Sequence, residues 1–401
     1  MFFAPALGLV LVFFLGSPCW AQVPFTATGQ ITLPAVASAP AVGAPAAGKG
    51  QISIAGYGAI CDGVADDTAA IQAAWNAGAA LGLNVNISGV GKTCKISSLT
   101  MPTAVQAGEG VLPPVASMLI GDGPNLVTLL STALGSACAI TITTPYASFQ
   151  PNGEIGGFTL AQSAPQNGKG ICLNQVTKLG LRNVFIYGFG VGVSALDTVN
   201  LSLRDSVLTA NLVGVFGETA GNSHPNAWTI ERNIFNGSAQ YAIELIHPDQ
   251  INILNNTFES NGTVLSMSPA SIFIDGMPID GAFGANIQGN YFENDASEAI
   301  AIVPTSGDAR GAFNISNNTF VRLSGNENQM IYVGNTSPII TITLFANGFL
   351  DAGSYALGSK PYISLQNPTT PSVNISCLGN IYNVQSSMPA ACQVPAVIFQ
   401  Q

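Results

Sequence analysis

Ile287-Gln288-Gly289-Asn290-Tyr291-Phe292 is one copy of a phrase that recurs down the chain. Each copy places an apolar residue five positions before an aromatic or aliphatic one. The first members are Leu181, Leu203, Ile230, Ile253, Ile287, Ile315, Leu344 and Cys377; the last are Ile186, Leu208, Phe235, Phe258, Phe292, Phe320, Phe349 and Tyr382. Between them stands asparagine at Asn233, Asn256, Asn290, Asn318, Asn347 and Asn380. Successive copies lie 22 to 34 residues apart, a variation that suits coils with loops of unequal length and not a helical repeat of fixed size.

Asparagine tolerates the left-handed backbone of a tight corner, and stacked side-chain amides can hydrogen-bond from one coil to the next. The phrase therefore predicts an asparagine ladder beside an internal aromatic stack, in a solenoid whose coils lie about 4.8 Å apart. The fold class that follows is all-β: a single-stranded right-handed parallel β-helix. Trp228 falls at an inward position and belongs to its core.

A second strand follows each corner, marked by a small residue and then an aliphatic one: Gly192-Val193, Gly214-Val215, Ala242-Ile243, Ser271-Ile272, Ala299-Ile300 and Met330-Ile331. With the aliphatic residue inward, strand alternation turns the next one outward. That outward column reads Ser194, Phe216, Glu244, Phe273, Ala301 and Tyr332; two residues further on stand Leu196, Glu218, Ile246, Asp275 and Val303. Rings and carboxylates thus share a face. The loops after these strands, 217–227, 276–284 and 304–312, would either wall a cleft or cover it. Glu244 comes between Phe216 and Phe273, with Glu218 and Asp275 on the coils either side of it and about 9.6 Å apart from each other. Paired carboxylates at such separations can protonate a glycosidic oxygen and activate a water or act as nucleophile. Glu244, Glu218 and Asp275 are the candidate catalytic acids, Phe216, Phe273 and Tyr332 the candidate sugar-stacking rings. His247, three residues beyond Glu244, is placed to assist or to bind a hydroxyl, with a structural role for it and for His224 as the alternative.

Arg182, Arg204 and Glu231 form another outward column. Two of only five arginines stacked on one face could meet a uronate carboxylate in bidentate fashion; a surface ion-pair ladder is the competing and preferred reading.

The global numbers agree with this architecture. The 401 residues are 47% hydrophobic but only 8% charged, with 44 glycines, as befits a large all-β chain with many turns. A formal net charge of −10 argues against nucleic acid and anionic membranes as partners. An anionic polysaccharide would need a local cationic patch or a bridging ion. Residues 1–21 read as a secretory signal peptide, with small residues at −3 and −1 of a cut after Ala21, and 22–50 as an extended Ala/Pro/Gly-rich leader. Cleavage leaves six cysteines, an even number that favours disulfides in an exported chain. Fifteen pairings are open; Cys377 with Cys392 would staple the 386–401 tail onto the last coil. The spacings match no common zinc motif. The β-helix is expected over 51–385, the protein secreted or periplasmic, and a monomer or homotrimer.

Ahead of the repeat runs Gly56-Tyr57-Gly58-Ala59-Ile60-Cys61-Asp62-Gly63-Val64-Ala65-Asp66-Asp67-Thr68-Ala69-Ala70-Ile71-Gln72-Ala73-Ala74. Asp66 and Asp67 can cap a helix whose apolar Ile71, Ala74, Trp75 and Ala79 form one stripe, a lid of about 56–80 for the open end of a solenoid. The phrase resembles the opening of the pectate-lyase superfamily, which includes polygalacturonases, rhamnogalacturonases and phage tailspikes. That resemblance, about 20 residues long, implies a right-handed parallel β-helix with a short N-terminal capping helix and assigns the two aspartates to the cap. It implies an activity on polysaccharide, by hydrolysis without a cofactor or by a lyase reaction that would bring in Ca2+. The Asn-Thr-Asp, Gly-His-Gly and Arg-Ile-Lys phrases of polygalacturonases are absent, Asp-Asp occurs only in the cap, and the arginine region of pectate lyases has no match. The expected function is a secreted glycoside hydrolase or polysaccharide lyase acting on a uronate-containing or other complex glycan; the alternative is a noncatalytic carbohydrate-binding or cell-surface β-helix.

Overall fold

The computed structural model describes residues 51–89, 91–102, 117–143, 153–219, 224–263, 269–276, 282–303, 310–323, 330–334, 339–351, 362–365 and 373–382. The signal-peptide region, the leader, Cys392 and the 386–401 tail lie outside them, as do the middles of the three loops expected to wall or cover the outer face.

One coil is built from Thr229–Glu231, Ile234–Asn236 and Tyr241–Ile246. The two short strands flank the asparagine corner and pair in parallel with their equivalents above and below; the longer strand does the same in a separate sheet. The coils stack as a 22-stranded sheet, which carries both short strands, and a 10-stranded sheet, which carries the long one. This is the right-handed parallel β-helix that the repeat predicts, with a described core built mainly of apolar residues.

The internal stack forms as expected. Phe235, Phe258, Phe292, Phe320, Phe349 and Tyr382 follow one another at ring-centroid distances of 5.0, 4.7, 4.8, 4.9 and 5.0 Å, nearly parallel. Ring separation here is set by the backbone ladder, since adjacent hydrogen-bonded strands lie close to that distance. Beside the rings, Asn256 Oδ1 accepts from both the backbone N–H and the side-chain amide of Asn233, and the same pair of bonds repeats from Asn256 to Asn290, Asn318, Asn347 and Asn380. Each Nδ2 also donates to a backbone carbonyl, as Asn290 does to Ile253. Ser206 occupies the same position one coil earlier, accepting from Val184 N and donating its own N–H to Asn233 Oδ1.

Of the two reasons expected for asparagine, the coil-to-coil amide ladder holds and the left-handed corner does not. The left-handed residue at the corner is the one before it: Asp205, Arg232, Asn255, Gly289, Asn317, Ala346 and Gly379 all have φ between 51° and 68°. A kink there turns backbone groups inward and out of reach of the sheet ladder, and the buried amide satisfies them. A second buried polar ladder at the next corner was not foreseen. Phe189 N donates to Asn211 Oδ1, Ser238 N to Asn261 Oδ1, and Asn261 N to Asp295 Oδ1, again each just after a left-handed residue.

At the N-terminal end the helix Thr68–Leu81 packs on Gln51–Ser53, Asn84–Ile87 and Leu99–Thr100, the first strands of the stack. It buries Ile71, Ala74, Trp75 and Gly78; Ala79, expected in that stripe, is half-buried. Gly78 takes the buried slot because a Cβ there would stand 2.6 Å from Ser117 Oγ. The two aspartates divide the labour. Asp66 Oδ1 accepts from the N–H and hydroxyl of Thr68, capping the first turn. Asp67, in the N-cap position, turns its carboxylate back to the N–H groups of Ile60 and Cys61. Cys61–Cys94 and Cys138–Cys172 are disulfides. Cys377 is disulfide-bonded too, and because the other four described cysteines pair with one another, its partner lies outside the described residues, where the expected Cys392 also falls.

Candidate functional site

The outer face of the 10-stranded sheet is built by Phe189–Leu196, Val213–Glu218, Tyr241–Ile246, Ala270–Asp275, Glu298–Ile302 and Ile331–Val333. Its strand register places Ser194, Phe216, Glu244, Phe273, Ala301 and Tyr332 side by side on successive coils. Leu196 neighbours Glu218, and Ile246 neighbours Asp275, in the column two residues on. The structure therefore brings Glu244, Phe216, Phe273, Tyr332, Glu218 and Asp275 onto one face.

The carboxylates feel one another. Glu218 is exposed, Asp275 and Glu244 half-buried. Glu244 stands between the rings of Phe216 and Phe273, and loss of water around it is the main reason its pKa rises from 4.5 to about 7; the charges of Glu218 and then Asp275 add to the shift. A carboxyl of that kind keeps its proton at mildly acidic pH and can give it to a leaving group.

Two members of the face escaped the sequence reading. Tyr241 is 4% exposed, stacks on Phe273 at 4.8 Å and packs with Val213, Ala270 and Ala301 in a small apolar cluster outside the main core. Glu298, also 4% exposed, accepts from the hydroxyl of Ser297. Burial raises the Tyr241 pKa, with Glu244 and Glu298 contributing, and burial followed by Glu298 raises that of Tyr332. Strict alternation would turn both 241 and 298 inward. The ladder instead passes from Val213↔Tyr241 to Val215↔Ile243, and Ala242 packs in the core together with Ile243. The signal was there: a small residue precedes the inward aliphatic one in nearly every coil, marking a bend that resets the alternation.

Other expectations move elsewhere. His247 has a left-handed backbone, is fully buried, and lies 4.6 Å from the His224 ring and 5.6 Å from that of Phe283, a core residue, so it turns into the interior and does not join Glu244 on the outer face. Arg182 and Arg204 project from the 22-stranded sheet, not from the face of Glu244. Arg182 meets Asp205 at 3.0 Å and Arg204 meets Glu231 at 3.8 Å, while Arg232 holds Asp205 at 2.7 Å and Glu231 at 2.6 Å. These arginines form the surface ion-pair ladder, and as sugar-binding residues of the Glu244 site they are withdrawn. Asp205 and Arg232, unnoticed in the sequence, are its centre; the Arg232 hydrogen bond, then that of Arg182, holds the Asp205 carboxyl below the usual range. Trp228 is in the core as expected, its indole N–H donating to Thr198 O. It fits because Gly217 is opposite: a Cβ there would come within 2.7 Å of the indole.

A cluster of Cys61, Asp67 and Cys94 has metal-ligand spacing, but both thiols are consumed by their disulfide. No other group of three ligating side chains converges among the described residues.

Comparison with known proteins agrees with this architecture. The family model for the right-handed β-helix region matches residues 169–346. Tailspike protein 2 from the Escherichia coli O157:H7 bacteriophage CAB120 superposes with a TM-score of 0.61 at 14% identity, covering 83% of this chain and 43% of its own. The enzymatically active domain of tailspike protein 2 from bacteriophage CBA120 gives 0.58 at 15% identity, over 84% and 47%. PfbA, a surface adhesin of Streptococcus pneumoniae, gives 0.59 at 15% identity, over 84% of this chain and 92% of its own. The chain spans less than half the length of the two tailspike structures. At such identities the likeness is one of fold, and the fold is the right-handed parallel β-helix. No curated protein matches the sequence.

Proposed function

We propose that this chain is an exported glycoside hydrolase whose general acid is Glu244 and whose second carboxylate is Glu218 or Asp275. The observation that carries the reading is a half-buried carboxyl set in a column of aromatic rings, with two further carboxylates close enough to act on its charge. A sugar laid against Phe216 and Phe273 would present its glycosidic oxygen to Glu244. Glu244 gives its proton to that oxygen as the bond to the anomeric carbon breaks. The ionised partner takes a proton from a water whose oxygen bonds to the same carbon, or attacks the carbon itself where the pair stands closer. The rings supply apolar faces for the sugar and the desolvation that keeps the acid protonated. Elimination is less well served, because stabilising a uronate carbanion calls for a cation beside the sugar carboxylate, and the arginines Arg182, Arg204 and Arg232 are engaged on another face. Disulfides support export. The tailspike and adhesin relatives in fold support work at a glycan-bearing surface.

The test is incubation with pectin, rhamnogalacturonan, alginate and bacterial exopolysaccharides, following new reducing ends and unsaturated-uronate absorbance separately. Reducing ends without absorbance are expected, and Glu244→Gln lowers their formation by roughly 10²–10⁴-fold while folding and glycan binding persist. Absorbance would make the protein a lyase. Binding without either product would place it with the noncatalytic β-helices, and wild-type turnover by Glu244→Gln would remove that residue as the acid.

A further inference from the structure

The charge around Glu244 is one-sided. From Asn233 to Ala309 the sequence holds nine aspartates and glutamates and not one lysine or arginine. That stretch supplies Glu244, Phe273, Asp275 and Glu298, so the strands that carry them bring acids and no cation to the floor of the face. Among the described side chains that come before and after it, one cation reaches this face and the arginines are held elsewhere. Lys169 starts three coils from Tyr241 in the same column, through Val191 and Val213, but its Nζ lies 3.4 Å from Ser194 Oγ, which neighbours Phe216 and stands two coils from Glu244. Arg182, Arg204 and Arg232 are paired with Asp205 and Glu231 on the other sheet. Arg322 is 8% exposed, its guanidinium over the Tyr362 ring.

We infer that the glycan accepted between Phe216 and Phe273 carries no uronate carboxylate: it is an uncharged polysaccharide held by its apolar faces and hydroxyls. The inference rests on reading this face as the glycan site and deepens it. A uronate beside Glu244 would add a charge of the same sign as Glu218 and Asp275, in a place where partial desolvation weakens screening; among the described side chains the cation on this face is the single ammonium of Lys169, two coils away and without the bidentate contact that carboxylates use. An uncharged sugar meets no such repulsion. The ring of Phe273, backed by the buried Tyr241, and the ring of Phe216 offer it hydrophobic surface, while the carboxylates accept hydrogen bonds from its hydroxyls.

The experiment uses matched polymers that differ only in the carboxylate: polygalacturonate and alginate, each beside its carboxyl-reduced form, with calcium or with chelator. The full chain's affinity and release of reducing ends are measured for each. The reduced polymer is expected to bind at least about tenfold better than its acidic parent, by a margin that shrinks with added salt. In the double variant Glu218→Gln, Asp275→Asn that margin narrows. Equal or better use of the acidic parent, with calcium or without it, overturns the inference while leaving the hydrolase reading intact. Preferential binding of the reduced polymer without new reducing ends does the reverse. An unchanged margin in the double variant would also overturn it, since the discrimination would then not come from this face.

Discussion

Two columns run along this solenoid with the same coil-to-coil step and opposite character. Inside the asparagine corner, five coils in a row carry phenylalanine, and the ring spacing stays between 4.7 and 5.0 Å from Phe235 to Phe349. On the outside of the 10-stranded sheet, six coils carry six side chains of four chemical kinds, from Ser194 to Tyr332. Both columns obey the same backbone ladder, so the ladder cannot be what distinguishes them. Inside, each residue is held to one shape by identical neighbours above and below. Outside, the backbone is satisfied whatever the side chain, and what stands there answers to solvent or ligand. Repetition in such a chain is evidence of structure, and broken repetition marks where function can reside. The Arg182, Arg204 and Glu231 column shows that variation alone is not enough, for it varies too and ends in mutual ion pairs. What sets Glu244 apart is variation combined with burial.

The comparison is broken most severely from the inside. Phe292→Ala removes a ring that is stacked on both sides, and should cost about 3–5 kcal/mol by leaving a cavity between Phe258 and Phe320. Asn290→Ala should cost about 1–3 kcal/mol, because the buried N–H of Asn256 and the carbonyl of Ile253 lose their partners. Denaturant unfolding of each variant checks the figures. A loss below 0.5 kcal/mol (roughly the range of an ordinary surface change) would mean that the uniform column is ornament and not support.

How far the sequence could be read follows the same division. Inward residues were legible because period and burial coincide: the stack, the asparagines and Trp228 fall where the pattern puts them. The corner itself was not, since the residue that must adopt a left-handed backbone, the one before each asparagine, ranges from Asp205 and Arg232 to Ala346 and carries no common chemistry. The second polar ladder, whose accepting oxygens come from Asn211, Asn261 and Asp295, was hidden for a related reason, as two residue types do one job and Ser238 interrupts their run. On the outer face, simple alternation found Phe216, Glu244, Glu218 and Asp275. It missed Tyr241 and Glu298 because a bend at the small residue that follows resets the alternation. It misplaced His247 because the strand ends at Ile246 and the chain turns inward immediately after.

A smaller effect sharpens the outer column. The ordinary pKa of 4.5 and the value of about 7 in the folded protein define a window for Glu244. Within it the native state keeps a proton that the unfolded chain has released, so stability falls as pH rises, and above about 7 the full loss is in place. Glu244→Gln removes that dependence. Its melting temperature relative to wild type should therefore climb between pH 4.5 and 7 and level off beyond, while wild-type turnover declines over the upper part of the same window as the acid loses its proton. A difference that stays flat from pH 4 to 8 would mean that Glu244 ionises as an exposed carboxyl does, and its claim to be the acid would fail.

The smallest effect is expected at the column that varies without being buried. Arg204 is 46% exposed at its side chain and approaches Glu231 only to 3.8 Å, and Glu231 keeps a closer partner in Arg232 at 2.6 Å. Removing Arg204 thus deprives no charge of its main neighbour, and exposed pairs of this kind contribute little once water and salt screen them. Arg204→Ala should change unfolding free energy by no more than about 0.5 kcal/mol and leave glycan affinity as it was, because its sheet is not the one that carries Glu244. Arg232→Ala makes the informative partner: it strips Asp205 and Glu231 of their shortest contacts, so its cost should exceed that of Arg204→Ala while affinity again stays constant. If either arginine variant weakened glycan binding tenfold, the sugar would lie on the 22-stranded sheet, and burial would lose its standing as the feature that separates a site from a surface in this fold.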